Sequence, residues 1–327
     1  MNLLRSTFSL ASPSGKNGRL SILIFHRVLP QPDLLFPDEP DATRFNEMMG
    51  WIKSWFNVLP LDAAVDALKT GKLPPRAAAI TFDDGYADNH NVALPILLTH
   101  RLPATFFIAT GFLDGGRMWN DTVIESVRNT SRRSIDCSRI GLGILSVDSI
   151  EDKRATLGRL IPALKHLPNQ ARADAVAYVA ECCAATLPDD LMLTTSELRS
   201  LRAAGMGIGA HTVSHPILAR IDAKHAQFEI AESRSTLEAV LGEHISIFAY
   251  PNGKLGSDYL PEHVALVKRL GFDAALSTNW GVSSVGDDCF QIRRFTPWDR
   301  SQWRYALRLL NNLCRGAAER NVTSHAE

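Results

Sequence analysis

Short apolar runs alternate along this chain with longer stretches of helical periodicity, and this rhythm constrains the fold more than any other feature. Each run ends in a polar or glycine-rich cluster, which is typical of β/α units arranged around a parallel sheet. We therefore expect an α/β fold. The predicted strands are Leu20–Phe25, Ala77–Phe82, Ala104–Ile108, Gly207–Ala210, Ile245–Tyr250, Ala274–Ser277 and Phe290–Arg293.

The longer stretches predict helices, because several of them begin near Ser, Thr or Asp and end just before Gly. This is the capping asymmetry expected of helices in a β/α protein. The predicted helices are Thr43–Lys53, Leu61–Lys69, Tyr86–His100, Ser196–Ala204, Ala223–Leu241, Tyr259–Leu270 and Ser301–Cys314.

The β/α rhythm lapses between Gly111 and Thr195, where helices are predicted with only weak strand signals between them. Their charges are mixed rather than clustered, so a folded helical insertion at about 112–194 is favoured over a disordered linker. The interrupted barrel domain is expected to span 18–315, and the polar residues 316–327 to form a disordered tail. The helices of the insertion are Asp121–Arg128, Ile150–Lys165 and Gln170–Thr186.

Charge and cysteine content narrow the function classes. Lys plus Arg and Asp plus Glu both number 35, so no net field draws the chain to nucleic acid or to an anionic membrane. A neutral substrate is therefore favoured over a polyanion. The five cysteines are odd in number and irregularly spaced, with Cys182 and Cys183 adjacent, so we expect free thiols in a reducing compartment.

The N-terminal region predicts neither export nor membrane insertion. Residues Met1–Arg19 lack a basic start followed by a true hydrophobic stretch, so no signal peptide is expected. The apolar run Leu20–Leu29 is interrupted by His26 and Arg27, and it has about half of the ~20 residues that a membrane-spanning helix requires. It is interpreted as a strand. A cytoplasmic location without a transmembrane segment is the expectation, and the oligomeric state is left open.

Three polar clusters directly follow predicted strands. In a parallel α/β sheet or barrel the carboxyl ends of the strands converge on one face, so residues far apart in sequence meet there. Their placement therefore predicts a shared site. The clusters are Asp83-Asp84-Gly85, the segment His211–His215, and Pro251-Asn252-Gly253.

The first two clusters together predict a metal centre. Adjacent anions such as Asp83 and Asp84 are costly to hold in one cleft unless they share a cation or a proton. Two histidines, His211 and His215, follow another strand four residues apart, and imidazole nitrogen with carboxylate oxygen suits zinc. Asp84 and both histidines would supply three ligands and leave a position open for water, as catalytic sites do.

Each cluster also has a purely structural interpretation. Asp-Gly pairs commonly form turns and Asp commonly caps helices, while a histidine pair at this spacing is often solvated or satisfied in a core. One cluster alone would favour these interpretations. Their coincidence at the ends of two strands favours the metal centre.

The same residues resemble the motifs of the NodB-type polysaccharide deacetylases, Thr-Phe-Asp-Asp-Gly and His-(Ser or Thr)-x-x-His, which stand here at Thr81–Gly85 and His211–His215. The resemblance implies a deformed (β/α) barrel of about seven strands. It implies that Asp83 is the catalytic base, and that Asp84 and the two histidines hold a divalent metal, with zinc as the expected ion. The implied reaction is hydrolysis of the N-acetyl group of an amino sugar in a polysaccharide or glycan precursor, which releases acetate.

The third cluster departs from the common pattern of that family. Ala249 stands where an Arg usually precedes the Pro of this motif, so the Arg that orients the base is absent locally. Arg293 or Arg294, at the end of a later predicted strand, is expected to replace it, and the alternative for each is a surface ion pair. The candidates for substrate or oxyanion contacts in the third cluster are Tyr250, Pro251 and Asn252.

The catalytic acid is also displaced from its common place, because no Leu-x-His motif stands near the C-terminus. Leu23–His26 resembles the Phe-His or Tyr-His start of the biofilm-polysaccharide deacetylases, in which the motif order is permuted. This resemblance makes His26 the candidate acid. The alternative is a core histidine bonded to a backbone carbonyl.

Trp119 is a candidate for stacking on a sugar, because Met118–Asp121 resembles the loop that faces substrate in some relatives. Ordinary packing of this Trp is the alternative. Two rival functions remain open: a metal-dependent amidase that acts on a non-glycan amide, and an inactive relative that binds carbohydrate. The partner expected from the resemblance is a carbohydrate with N-acetylated sugars. Whether it is a polymer, a lipid-linked oligosaccharide or a nucleotide sugar is left open.

Overall fold

A computed structural model of the chain describes residues 2–323. Strands and helices alternate through most of it. The strands are β1 Arg19–Phe25, β2 Asn57–Val58, β3 Ala77–Phe82, β4 Thr105–Ile108, β5 Ser134–Asp136, β6 Ile144–Ser146, β7 Gly207–Ala210, β8 Ile247–Ala249, β9 Ala274–Leu276 and β10 Ser283–Ser284. The helices are α1 Asn2–Ala11, α2 Ala42–Trp55, α3 Leu61–Lys69, α4 Leu94–His100, α5 Trp119–Asn129, α6 Ile150–Lys165, α7 Asn169–Cys183, α8 Thr195–Ala203, α9 Ala223–Leu241, α10 Pro261–Arg269 and α11 Gln302–Thr323.

The main sheet has the strand order β10-β1-β3-β4-β7-β8-β9, and the short strand β2 also pairs with β3. All of these pairs are parallel except β1 with β10. The sheet curls into a partial barrel surrounded by helices, which confirms the predicted deformed (β/α) barrel of about seven strands. Because the parallel strands run in one direction, the residues that follow β3, β7 and β8 lie at the same edge.

Alternation along the strands places consecutive side chains in two different hydrophobic clusters. In β1, Leu23 and Phe25 pack with the helices of the larger cluster, while Leu20 and Ile22 belong to the smaller one. Phe82, the last residue of β3, stacks on Phe106 with 4.8 Å between ring centroids. This aromatic packing fixes the backbone from which the next residue, the first aspartate of the site, extends.

Several predicted elements have the bounds of the observed ones, including Ala77–Phe82 and Ala223–Leu241. The predicted strand Phe290–Arg293 is wrong: its backbone makes only an isolated bridge, between Leu276 and Ile292. The predicted helix Tyr86–His100 is helical from Ala87 onward, but a π-helical turn at Asn89–Ala93 interrupts it before α4. Such turns frequently occur at functional sites.

The segment between β4 and α8 has a hydrophobic cluster of its own. Helices α5, α6 and α7 and the β5-β6 hairpin contribute to it, with fully buried side chains such as Val123, Leu160 and Val179. At the other end of the chain, helix α11 continues to Thr323, so part of the predicted tail 316–327 is helical and the rest lies outside the described residues.

All five cysteines lie within the described residues and none of them forms a disulfide. Among residues 2–323, no helix is both long enough and apolar enough to cross a lipid bilayer.

Candidate metal centre and active site

The chain turns sharply after β3 and brings two carboxylates to the edge of the sheet. Asp84 and Gly85 both have positive φ, 78° and 87°. A Cβ atom on Gly85 would lie 3.3 Å from the Ile108 side chain, so glycine allows the turn to pack against β4. The N–H of Asp83 donates to the Phe25 carbonyl at 2.9 Å. The two aspartates are therefore held by both neighbouring strands.

A second strained turn follows β7. Thr212 and His215 have φ values of 65° and 54°, and a β-branched residue in this region is uncommon. The N–H of His215 donates to the Thr212 hydroxyl at 3.1 Å. From helix α9, Glu229 accepts the N–H groups of Val213 and Ser214, each at 2.8 Å. Strained backbone of this kind persists where the surroundings determine it, and it concentrates at functional sites.

Asp84, His211 and His215 come together as a candidate metal centre. The Oδ1 atom of Asp84 lies 3.4 Å from the Nε2 atom of His211 and 3.4 Å from that of His215. The three potential ligand atoms all lie within 4.8 Å of one another. Tetrahedral zinc ligands at ~2.1 Å from the ion are separated by about 3.4 Å, so this spacing fits a single ion.

The orientation of the ligands also fits an ion. The tautomer of His211 is fixed by its surroundings. Its Nδ1–H donates to the Ala249 carbonyl at 2.7 Å, which leaves Nε2 of the neutral ring without a proton and directed at the centre. Oδ1 of Asp84 is buried and, among the described residues, receives no hydrogen bond. A buried carboxylate oxygen without a donor is costly. A cation between the three residues would remove that cost.

The electrostatics of the centre leave Asp84 and His215 in the protonation states that metal binding needs. At His211, burial lowers the pKa, but the negative charges of Asp83 and Asp84 outweigh it and raise the pKa above the ordinary value. Burial raises the pKa of Asp84, but the nearby imidazoles of His215 and His211 outweigh it and hold the pKa well below its ordinary value. Burial lowers the pKa of His215 to about 4 against the opposing charge of Asp84. At neutral pH, Asp84 is therefore ionised and His215 is neutral.

Asp83 does not join the three-residue centre but forms an ion pair with Arg294. The guanidinium donates from Nη1 to Oδ1 at 2.7 Å and from Nη2 to Oδ2 at 2.8 Å, and it is fully buried. Burial raises the pKa of Asp83, but Arg294 and the charge of His211 outweigh it and lower the pKa below the ordinary value. The other predicted candidate, Arg293, points elsewhere and packs over Gly281.

The third cluster contributes less than the sequence predicted. The N–H of Tyr250 donates to the Leu276 carbonyl at 3.1 Å, and its ring is buried in a stack on Tyr259, with centroids 3.9 Å apart. Pro251 has no N–H, so neither residue offers a backbone N–H to substrate. Asn252, with φ of 58°, lines a cavity together with Asp84. No acceptor for its N–H is found within residues 2–323.

His26 is exposed rather than a core histidine, and it lines a cavity of about 300 Å³ that also reaches Asp84. Its backbone is fixed by the π-helical turn, because Nδ2 of Asn89 donates to the His26 carbonyl at 2.8 Å. The neighbouring Asp88 accepts from the Arg27 Nε atom at 2.7 Å. This turn therefore positions the loop that carries the histidine.

Sequence reasoning missed two residues of this region, Asp121 and Glu229. Asp121 is buried in the wall of the His26 cavity and accepts a hydrogen bond from the Tyr86 hydroxyl at 3.1 Å. Burial, and then the charge of Asp84, raise the pKa of Asp121 to about 7. The predicted loop residue Trp119 instead begins helix α5 and lines a different cavity, next to Asn252.

The fold and the site together define the class of this protein. It is a partial β/α barrel with a candidate metal centre, the Asp-His-His cluster, at the carboxyl ends of its strands. The sequence model of the family described as polysaccharide deacetylase matches residues 70–133 and 153–275. The chain belongs to the polysaccharide deacetylase family.

Individual relatives are distant. YxkH of Bacillus subtilis (strain 168), whose assignment as a polysaccharide deacetylase is provisional, is 19% identical over 281 residues, which cover 85% of this chain and 71% of that protein. The Streptococcus pyogenes deacetylase PplD, solved in complex with acetate, is 18% identical with a TM-score of 0.59, covering 90% of this chain and 98% of PplD. IcaB from Ammonifex degensii is 19% identical with a TM-score of 0.57, and the match covers 90% of this chain and 98% of IcaB. These two solved structures share the fold of this chain.

Proposed function

We propose that this chain is a metal-dependent N-deacetylase that hydrolyses the acetamido group of an amino sugar in a polysaccharide or glycan precursor. The observation that carries the proposal is the 3.4 Å spacing of Asp84 from both histidines, next to a second carboxylate held by Arg294. A divalent ion bound there, with zinc as the expected ion, would supply Lewis acidity that polarises the amide carbonyl and lowers the pKa of water from ~15.7 toward ~7.

Asp83 has the environment of a general base. Arg294 keeps its carboxylate ionised and holds both of its oxygens in a fixed plane, so that it can accept the proton of an attacking water. The pair is buried, which prevents solvent from reorienting the carboxylate. In the reaction a C–O bond forms from water to the acetyl carbon and the C–N bond breaks.

Two further groups complete the proposed reaction. The Asn252 N–H, on the same cavity wall as Asp84 and His215, would donate to the developing oxyanion. His26, on the wall of the adjoining cavity, would give a proton to the departing nitrogen. The products are acetate and a free amino sugar.

Two features bear on the substrate and the cellular setting. The relative PplD was solved with acetate, the acid that the proposed reaction releases. Phe25, the last residue of β1, is followed directly by His26, and this pair supports placing the chain in the subgroup of the family with that N-terminal motif. If the expected cytoplasmic location holds, a biosynthetic precursor is a better candidate than a finished, exported polymer.

Acetate release tests the proposal. The purified protein is assayed on N-acetylglucosamine oligomers, on a nucleotide-linked N-acetyl sugar, and on simple non-glycan acetamides, before and after chelation and after zinc is restored. We expect acetate only from sugar substrates and only with metal present. Release from the simple acetamides alone would identify a non-glycan amidase, and binding of the oligomers without acetate release would identify an inactive relative.

A further inference from the structure

A cavity of about 170 Å³ lies between the candidate metal centre and the helical segment that precedes α8. One wall consists of Asp84, His215 and Asn252, which belong to the strand ends. The opposite wall consists of Trp119, Lys165 and Arg172, which belong to α5, α6 and α7. A group that enters this cavity therefore touches the metal centre and the helical segment at once.

The two cations of the outer wall have no carboxylate partner among residues 2–323. Arg172 donates only to neutral oxygens, the Lys165 carbonyl at 3.3 Å and Oδ1 of Asn169 at 3.2 Å. Its guanidinium lies over the ring of Trp119, 5.3 Å from the centroid. Burial lowers the pKa of Arg172, and no neighbouring carboxylate offsets this change. A partly buried cation without an anion loses hydration free energy that no partner restores. A negatively charged group bound at this wall would offset that loss.

The neighbouring cavity, which is lined by His26, also contains two cations, but both of them are paired with carboxylates. Arg27 is paired with Asp88 at 2.7 Å, and Arg128 is paired with Asp33 at 2.6 Å. That cavity is further lined by the carboxyl groups of Glu39 and Asp121. The cleft on either side of the metal centre is therefore polarised, with available positive charge on one side and acidic groups on the other. The balanced net charge of the whole chain conceals this asymmetry.

We propose, on the basis of the deacetylase function above, that the substrate carries an anionic group close to its acetamido group, and that Lys165 and Arg172 bind this group. Guanidinium and ammonium groups bind the oxygens of phosphate and carboxylate alike. The anion is therefore either the phosphate of an activated or lipid-linked sugar or the carboxylate of an adjacent uronic acid. The inference replaces the expectation of a fully neutral substrate with a mostly neutral glycan that has a local negative charge.

Equilibrium binding tests this inference separately from turnover. Calorimetry on the zinc-loaded protein with Asp83→Asn, which we expect to block hydrolysis, compares three probes: the neutral, fully N-acetylated chitotetraose, UDP-N-acetylglucosamine, and a tetrasaccharide of alternating N-acetylglucosamine and glucuronic acid. We expect one of the two anionic probes to bind at least about tenfold more tightly than chitotetraose, and the tighter of the two identifies the source of the anion.

Variants of the wall are then made in the same background. Lys165→Gln and Arg172→Gln should each weaken binding of the preferred anionic probe by about tenfold and reduce its advantage over chitotetraose. The matched control is Lys224→Gln, at an exposed position on α9, which should bind as the parent does. Thermal melting checks that each variant is folded.

The inference is overturned if chitotetraose binds as tightly as both anionic probes, or if the two wall variants leave the anionic advantage unchanged. Absence of acetate release from every substrate by the unmodified protein, together with a binding preference that depends on Lys165 and Arg172, would reject the deacetylase function and retain the anion site. Acetate release without that binding preference would retain the deacetylase function and reject the anion site.

Discussion

Arg294 and Asp83 are 211 residues apart in sequence, yet they form a fully buried, two-pronged ion pair with N–O distances of 2.7 and 2.8 Å. The guanidinium is fixed from behind as well, because its Nε donates to the Ser277 carbonyl at 3.0 Å. An Arg at position 249 is therefore unnecessary: Ala249 is packed in the core, and a later segment of chain delivers a cation to Asp83.

Replacing Arg294 by Lys should impair the base without removing its positive neighbour. Lysine cannot donate in two parallel directions, so Asp83 becomes less firmly held and its pKa rises. Because the ionised carboxylate is the active form, the acid limb of kcat/KM moves to higher pH, and kcat falls by about tenfold or more. A pH profile of acetate release measures both effects. Arg293→Lys, at the adjacent residue away from Asp83, is the matched control, and an unchanged acid limb in Arg294→Lys would contradict the assignment.

Substitutions of Asp83 and of His211 should differ in their effects on metal content and on turnover. Asp83→Asn keeps the three candidate metal ligands, so we expect bound zinc to stay near the parental level while acetate release is nearly lost. His211→Ala removes one ligand and should lose both. Metal content is measured by elemental analysis and turnover by acetate release. Near-normal hydrolysis by Asp83→Asn would show that this carboxylate is not the base.

The sequence predicted that Asp84, His211 and His215 lie together, because each of them follows a strand and strand ends converge in this fold. It left two Arg candidates because the segment around Arg293 and Arg294 is not a regular strand. Its backbone is held at separate points, by the bridge at Ile292 and by the N–H groups of Arg294 and Phe295, and not by a continuous ladder that would fix side-chain alternation.

Other residues could not be distinguished from structural ones in the sequence. Asp121 stands in the first turn of α5, where an acidic residue is ordinary because it complements the helix dipole. Glu229 lies within α9, a helix with several acidic residues. Its role depends on a contact with the loop after β7, which only the folded chain reveals. Tyr250 was predicted to contact substrate, but its ring and N–H are both used by packing and strand pairing.

Glu229 should support metal binding from outside the centre. Its carboxylate accepts the N–H groups of Val213 and Ser214 and so holds the loop between the two histidine ligands. Glu229→Ala frees this loop, and we expect zinc affinity to fall by about 10- to 100-fold, as for other residues that position metal ligands. Competition with a chromogenic chelator measures the affinity. Glu232→Ala, an exposed position on the same helix, should leave it unchanged, and equal affinity in both variants would reject the supporting role.

Asp121 should make the metal-free protein less stable as pH rises. Its pKa is raised to about 7 in the folded chain, whereas an unfolded aspartate titrates near pH 3.9. Between these values the unfolded chain has lost a proton that the folded chain retains, so the free energy of unfolding decreases with increasing pH. This loss is complete once the pH exceeds the folded pKa.

The variant Asp121→Asn removes this titration and keeps an acceptor for the Tyr86 hydroxyl. In chelated protein we expect it to match the parent near pH 4 and to exceed it above pH 7 by on the order of 4 kcal/mol in unfolding free energy. Urea titrations across this pH range measure the difference. Asp190→Asn, at an exposed position, should show no such pH-dependent gain. A difference between Asp121→Asn and the parent that stays constant with pH would mean that the folded chain does not raise the pKa of Asp121, and that the carboxyl is already ionised at neutral pH.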